Sequence, residues 1–199
     1  LELRLTGSGG QGLILGGVET FPHQEMEGLL NWRTLFYRGS DISSLQYFAQ
    51  GPDGMKDLRL VKLEDGEIGV FTRPQGKVGG RGVIGFIKID SLAELTIDTI
   101  EKARLLKNQF LADEWGGVNE AHLLKNGLLG VLGHIACFCN GRNRHYYSMV
   151  FPFDPEQEIA GAMEIIACRD DFPKGPAKNE KLVDLLFSGG LCRNNDGTA

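Results

Sequence analysis

Six short stretches are bounded, within a residue or two, by Gly, Asp, Asn or Pro: LRLVKL, EIGVFT, VIGFIKI, HLLKNGLLGVLGHIACF, HYYSMVFPF and EIIAC. Each is rich in β-branched, aromatic or leucine residues, which fit a pleated, half-buried surface. Turn residues at this spacing stop a helix before it can nucleate and instead return the chain beside itself. The 28 glycines among 199 residues supply the tight turns and close backbone approaches that such a chain needs. An all-β fold is therefore expected: a sandwich, a barrel or a propeller. One helix is expected, over Ser91–Asn108 (SLAELTIDTIEKARLLKN), with Ser91 as N-cap and Glu94 three residues on, although LTIDTI also suits a strand.

Three segments look alike: 56–73, 118–138 and 182–199. Each sets a carboxylate (Asp57, Glu120, Asp184) before an apolar run, and a D-G or N-G turn follows. Loose repeats of this kind suit propeller blades, whose inner strands start around one channel and bring distant residues together. The whole chain, 1–199, is read as a single domain. Its C-terminal RNNDGTA stops on a hairpin turn with no returning strand, so the domain is expected to be incomplete there. LTGSGG meets GLILGG abruptly, which raises the same expectation near that join.

A net charge of −5 argues against non-specific nucleic-acid binding, though it leaves room for a local basic pocket. No apolar run is long enough to span a membrane, and LELRLTGSGG has no secretory pattern, so a cytoplasmic location is expected. Cys137, Cys139, Cys168 and Cys192 match no zinc spacing and are expected to be reduced; no metal or cofactor is expected.

The candidate site residues cluster by sequence context. Asp57 is flanked by Lys56 and Arg59, and strand alternation would put Asp57 and Arg59 on one side. Such a carboxylate has its proton affinity set by the cations; the plain reading is a turn Asp among solvated charges. Arg73, just before Pro74, ends its strand and offers a bidentate grip on phosphate or carboxylate. Glu120 sits at the start of an apolar strand, where a carboxylate must be paired or functional. Trp115, beside Gly116 and Gly117, suits stacking on a sugar ring or filling a core. His134, inside GVLGHIACF, fits a satisfied core histidine. VGGRG at 78–82 lacks the strand–loop–helix context of a phosphate loop, and F-S-G-G at 187–190 lacks the first Gly of a serine nucleophile turn.

From about Leu13 to Ala199 these segments, in this order, resemble the five-bladed β-propeller glycosidases and phosphorylases that act on β-mannosides, glycoside hydrolase family 130 and glycosyltransferase family 108, together with a related uncharacterised domain family. The motifs are M-K-D-L-R-L at 55–60, T-R-P at 72–74, G-G-V-N-E-A-H-L-L-K-N-G-L-L-G-V-L-G-H at 116–134 and V-D-L-L-F-S-G-G at 183–190. The first is similar to a Glu-Asp-Pro-Arg stretch, with Lys56 and Leu58 departing from it. The resemblance implies a five-bladed β-propeller and inverting transfer of β-mannosyl units, with phosphate or a sugar phosphate and an oligosaccharide as partners. It implies Asp57 as general acid, acting directly or through a sugar hydroxyl, and Glu120 as the group that orients hydroxyls or is the acid itself. Asp184, Asn119, His134 and Trp115 would contact the sugar, and Lys56, Arg59 and Arg73 the phosphate. A hydrolase needs a second carboxylate roughly 6.5–9.5 Å away to activate water, whereas cations can replace it when phosphate is the nucleophile. The alternatives are an arabinanase-type inverting hydrolase with Glu120 as acid, and a non-catalytic carbohydrate-binding propeller.

Overall fold

The computed structural model describes residues 2–7, 10–139, 143–177, 179–191 and 194. The chain is almost entirely β, laid out as three antiparallel sheets in sequence order. The first sheet holds β1 (Glu2–Gly7), β2 (Gly10–Pro22), β3 (Leu30–Gly39) and β4 (Gln46–Gln50). The second holds β5 (Arg59–Lys62), β6 (Ile68–Thr72), β7 (Gly85–Ile89) and β8 (Arg104–Leu105). The third holds β9 (Glu114–Leu123), β10 (Leu129–Cys139), β11 (Asn143–Asp154), β12 (Ile159–Ala160) and β13 (Glu164–Ala167), the last two both pairing with β11.

Two of the three look-alike segments are the same hairpin. In Leu63-Glu-Asp-Gly-Glu67 and Leu124-Lys-Asn-Gly-Leu128, the first N–H donates to the last carbonyl, at 2.9 and 2.8 Å. Gly66 (φ +95°) and Gly127 (φ +81°) hold the left-handed position that a side chain would strain. The third segment departs from this pattern. Glu180–Leu182 is a single 3-10 turn, and Leu185 makes one parallel bridge to Tyr146. Here Val183–Leu186 runs beside β11, bonded to both backbone groups of Tyr146, and among the described residues it pairs with no return strand. The expected C-terminal hairpin turn falls outside the described residues apart from Asn194, as do Cys192 and the side chain of Cys139. Around the join expected to be abrupt, β1 and β2 pair from Glu2↔Leu15 to Gly7↔Gly10; Ser8 and Gly9 lie outside the described residues.

The helix expected over Ser91–Asn108 breaks into three pieces. They are a 3-10 turn at Leu92–Glu94, a helix of one turn at Ile97–Glu101, and β8. The side chain of Thr96, not Ser91, caps the helix by accepting from Thr99 N. β-branched Thr96, Ile97, Thr99 and Ile100 give little helical propagation, and Leu95 and Ile100 are instead drawn into the core.

The second sheet is buried on both faces. Leu58, Leu60, Val70 and Ile89 pack against Ile14 and Phe36 of the first sheet. Val61, Phe71 and Phe86 pack against Val131, Met149, Phe151 and Phe153 of the third. This is why every residue of β6 is buried and why IGVFT reads as a continuous apolar run rather than an alternating one. Phe71, Phe86 and Phe153 form a triangle of rings with centroids 4.6–5.3 Å apart, tilted or edge-on. Among the described residues, no helix is long and apolar enough to cross a membrane.

Phe153, fully buried, is the third sheet's contribution to that triangle. Phe153→Ala is expected to cost about 3–5 kcal/mol, read from urea unfolding followed by far-UV circular dichroism.

Candidate active site

β5 begins, β6 ends and β9 begins at one end of the sheets, and the charged residues singled out from the sequence meet there. β5 starts at Arg59, two residues later than alternation from Asp57 requires, so Asp57 lies ahead of the strand. Its backbone is left-handed, φ +61°, one of only a few such non-glycine residues among those described. Asp tolerates this region better than most side chains, at a cost of order 1 kcal/mol. The twist turns the carboxylate between two guanidinium groups. Arg73 Nη1 donates to Asp57 Oδ2 at 3.2 Å, and Arg59 Nη2 lies 3.7 Å from Oδ1. Asp57 and Arg59 do share a side, as the sequence suggests, but the route is a backbone twist and not strand alternation.

Both arginines also clasp the neighbouring sheet. Arg59 Nε donates to the Asn119 carbonyl at 2.6 Å, and Arg73 Nε to the Gly116 carbonyl at 2.7 Å. Arg73 Nη2 donates to the Arg81 carbonyl at 3.2 Å. Arg73 is 3 % exposed. Burial lowers the proton affinity of both groups from the ordinary arginine value, and the Asp57 charge opposes that. Two glycines make room for this arginine. A Cβ on Gly82 (φ +139°) would lie 2.6 Å from Arg73 Nη2, and one on Gly117 2.6 Å from its Cδ. The VGGRG and WGGV stretches are thus the two walls of an arginine slot.

Asn119 sits at a β-bulge, where Leu132 pairs with Glu120 but Gly133 with Val118. The extra residue re-aims its side chain. Asn119 Nδ2 donates to the Ser188 carbonyl at 2.6 Å and to its hydroxyl at 2.7 Å, so the amide oxygen faces His134 Nδ1 at 2.8 Å. Nδ1 therefore carries the proton and Nε2 the lone pair. His134 is 1 % exposed, against Tyr146 and Phe187. Burial, then the charges of Arg73, Arg59 and Lys56, push its pKa down from 6.5 to about 3. It is a satisfied core histidine, as its apolar strand suggests, yet it feels cations from the second sheet.

The remaining candidates make other direct contacts, although the charge of Glu120 acts on Arg59 and that of Lys56 on His134. Glu120 Oε2 accepts from Leu191 N at 2.6 Å and Oε1 lies 3.2 Å from His122 Nε2. The Asp184 carboxylate contacts His145 Nδ1 and, at 3.4 Å, the Tyr147 hydroxyl. Trp115 is 4 % exposed and packed by Phe138, Tyr146 and the Arg81 guanidinium, which is the filling role rather than an open platform for sugar. Lys56 Nζ lies 5.9 Å from the Trp32 ring centroid. Ser188 was legible only as part of a failed nucleophile motif; its contacts with Asn119 and Gly133 show it to be a strut. Among the described residues, the one grouping with metal-like spacing is Asp65, Glu67 and Glu156 on the surface, where Lys88 pairs with two of its members.

A family model described as "Protein of unknown function (DUF1861)" matches residues 9–199. No curated protein matches. Solved structures do. MPT-4, a mannose phosphorylase from Leishmania mexicana in complex with phosphate ion, is 34% identical over 94% of this chain and 58% of its own, with a TM-score of 0.82. MPT-1, a GDP-Man-dependent mannosyltransferase from the same organism, is 33% identical over 98% of this chain and 61% of its own, with a TM-score of 0.80. A hypothetical protein from Leishmania major is 34% identical over 94% and 57%, with a TM-score of 0.78. The chain thus spans about three fifths of the length of these structures.

The His134 environment makes stability depend on pH. Between 6.5 and about 3 the unfolded chain binds a proton that the folded one refuses, so stability is lost as pH falls through that window. The loss is expected to approach 1.4 kcal/mol per pH unit from this group. Urea midpoints measured from pH 7 to 4 should fall less steeply in His134→Gln than in the unaltered protein.

Proposed function

We propose that this chain, which belongs to the DUF1861 family, transfers β-mannosyl units by inverting phosphorolysis, between a β-1,2-linked oligomannoside and mannose 1-phosphate. The three stacked sheets are then three consecutive blades of a five-bladed propeller, with Asp57 at the central channel. The observation that carries the reading is a buried positive field in an acidic protein. Lys56, Arg59 and Arg73 all act on His134, and Asp57 is the carboxylate set between the two arginines. Such a site has a place for an anion, and both the phosphate-bound phosphorylase and the sugar-nucleotide-dependent transferase among the solved relatives handle one.

In this reading phosphate is held by Lys56 and Arg59, and the buried Arg73, whose nitrogens are each bonded within the protein, adds its positive charge from behind them. A phosphate oxygen attacks the anomeric carbon from the face opposite the leaving group. The glycosidic C–O bond breaks, and the departing oxygen takes a proton from Asp57 in its acid form, directly or through a mannosyl hydroxyl; the proton that hydrogen phosphate gives up on becoming the ester returns Asp57 to that form. Phosphate is already nucleophilic, so no second carboxylate is required to activate it. Glu120, its carboxylate bound by Leu191 N, orients sugar hydroxyls from the adjoining sheet. Neutral His134 cannot donate to phosphate through Nδ1, which Asn119 occupies; it keeps Asn119 and the strand of Gly116 in place.

The test is incubation with a β-1,2-mannose oligosaccharide, with and without inorganic phosphate, assayed for mannose 1-phosphate. Product is expected only with phosphate, and Asp57→Asn is expected to lower turnover about 10²–10⁴-fold. Free mannose formed regardless of phosphate would replace this reading by hydrolysis.

A further inference from the structure

Between the first and second sheets, at the same end as Asp57, lies a cavity of about 640 Å3 that the reaction as described leaves unused. Its size is that of a small-molecule site, roughly 300–1,000 Å3. Trp32, Asn31, Asp53, Met55, Gln75 and Glu101 stand in its wall. Trp32 is half-buried and its orientation is fixed twice. Its Nε1 donates to the Gly54 carbonyl at 3.0 Å and to Gln75 Oε1 at 3.2 Å. Gln75 in turn donates to the Arg81 carbonyl at 2.9 Å, the same oxygen that takes Arg73 Nη2. One carbonyl therefore joins the cavity to the arginine slot. On the other side, Met55 of the wall precedes Lys56 and Asp57 in sequence.

The two compartments differ in lining. Asp57 sits between two guanidinium groups, while the cavity wall carries Glu101, Asp53 paired with Arg33 at 3.3 Å, and the amides of Asn31 and Gln75, with Lys56 Nζ 5.9 Å from the Trp32 ring centroid. Carboxylates and amide oxygens have lone pairs to accept from hydroxyls even when one is already engaged. A pre-set indole among such acceptors is suited to a neutral, hydroxyl-rich ring with one apolar face, at little ordering cost.

We propose that this cavity is a saccharide subsite with Trp32 as its stacking platform, holding the mannosyl residue next to the bond that reacts at Asp57. The inference deepens the phosphorylase reading and rests on it for the identity of the sugar. Trp32 is then the aromatic contact of the site, in place of Trp115.

Calorimetric titration of β-1,2-mannotriose into the protein without phosphate reads this subsite apart from turnover. Trp32→Ala is expected to weaken binding roughly tenfold or more, and Trp32→Phe, which keeps a ring but loses the N–H, to retain most of it. Asp53→Ala, at a half-exposed position, is expected to weaken binding severalfold and keeps the test decisive if Trp32→Ala does not fold. Inorganic phosphate, titrated separately, is expected to bind all three variants as it binds the unaltered protein. Equal mannotriose affinity in Trp32→Ala, or none in the unaltered protein, overturns the inference. Loss of phosphate-dependent product with mannotriose binding intact overturns the phosphorylase reading and leaves the subsite standing.

Discussion

The buried guanidinium of Arg73 is the interaction around which the rest of this end of the molecule is arranged. At 3 % exposure it cannot remain charged without partners, and each one comes from a different segment. Gly116 supplies a carbonyl from the third sheet, Arg81 one from the β6–β7 connection, and Asp57 a carboxylate from the segment before β5. Removing one partner of a buried pair typically costs about 3–5 kcal/mol, because the remaining charge is left uncompensated. The left-handed backbone at Asp57 is small beside that figure, so it is tolerated.

Close approach follows from the same requirement. Arg73 can reach Gly116 only because Gly117 and Gly82 carry no side chain. Arg59 repeats the device one step along, bonding the Asn119 carbonyl where the bulge exposes it. The two sheets are therefore joined at this end by charged hydrogen bonds, and further along by the Phe71–Phe86–Phe153 triangle. The apolar contact sets the distance between the sheets. The polar contact fixes which carboxylate lies between the two arginines. Ser188 and Phe187 close over His134 and Asn119, which keeps that histidine buried.

The apolar runs and their glycine turns made the strands readable, since period, length and punctuation act locally. LEDGE and LKNGL were visible as repeated turns, and both form. The Ser91–Asn108 segment was not readable in the same way. Its isoleucines and threonines carry helix caps and strand propensity together, and burial of Ile100 decided between them. Likewise 183–190 has the composition of a strand but lies as a strap: among the described residues it bridges β11 at Tyr146, two residues before β13 takes over that edge at Ser148.

The candidate site divides along the same line. Asp57, Arg59 and Arg73 stood out in the sequence because charges at both ends of an apolar hairpin need a reason, and the structure brings all three together. By itself the sequence determined the hairpins, the all-β class and this charged triplet, since each depends on residues near one another in the chain. Only the tertiary structure decided that Trp115 is packed while Trp32 lines a cavity, that Asp184 faces His145, and that Gln75 and Arg73 share one carbonyl. Those outcomes depend on which sheet covers which face, and burial of that kind is a property of neighbours far apart in sequence.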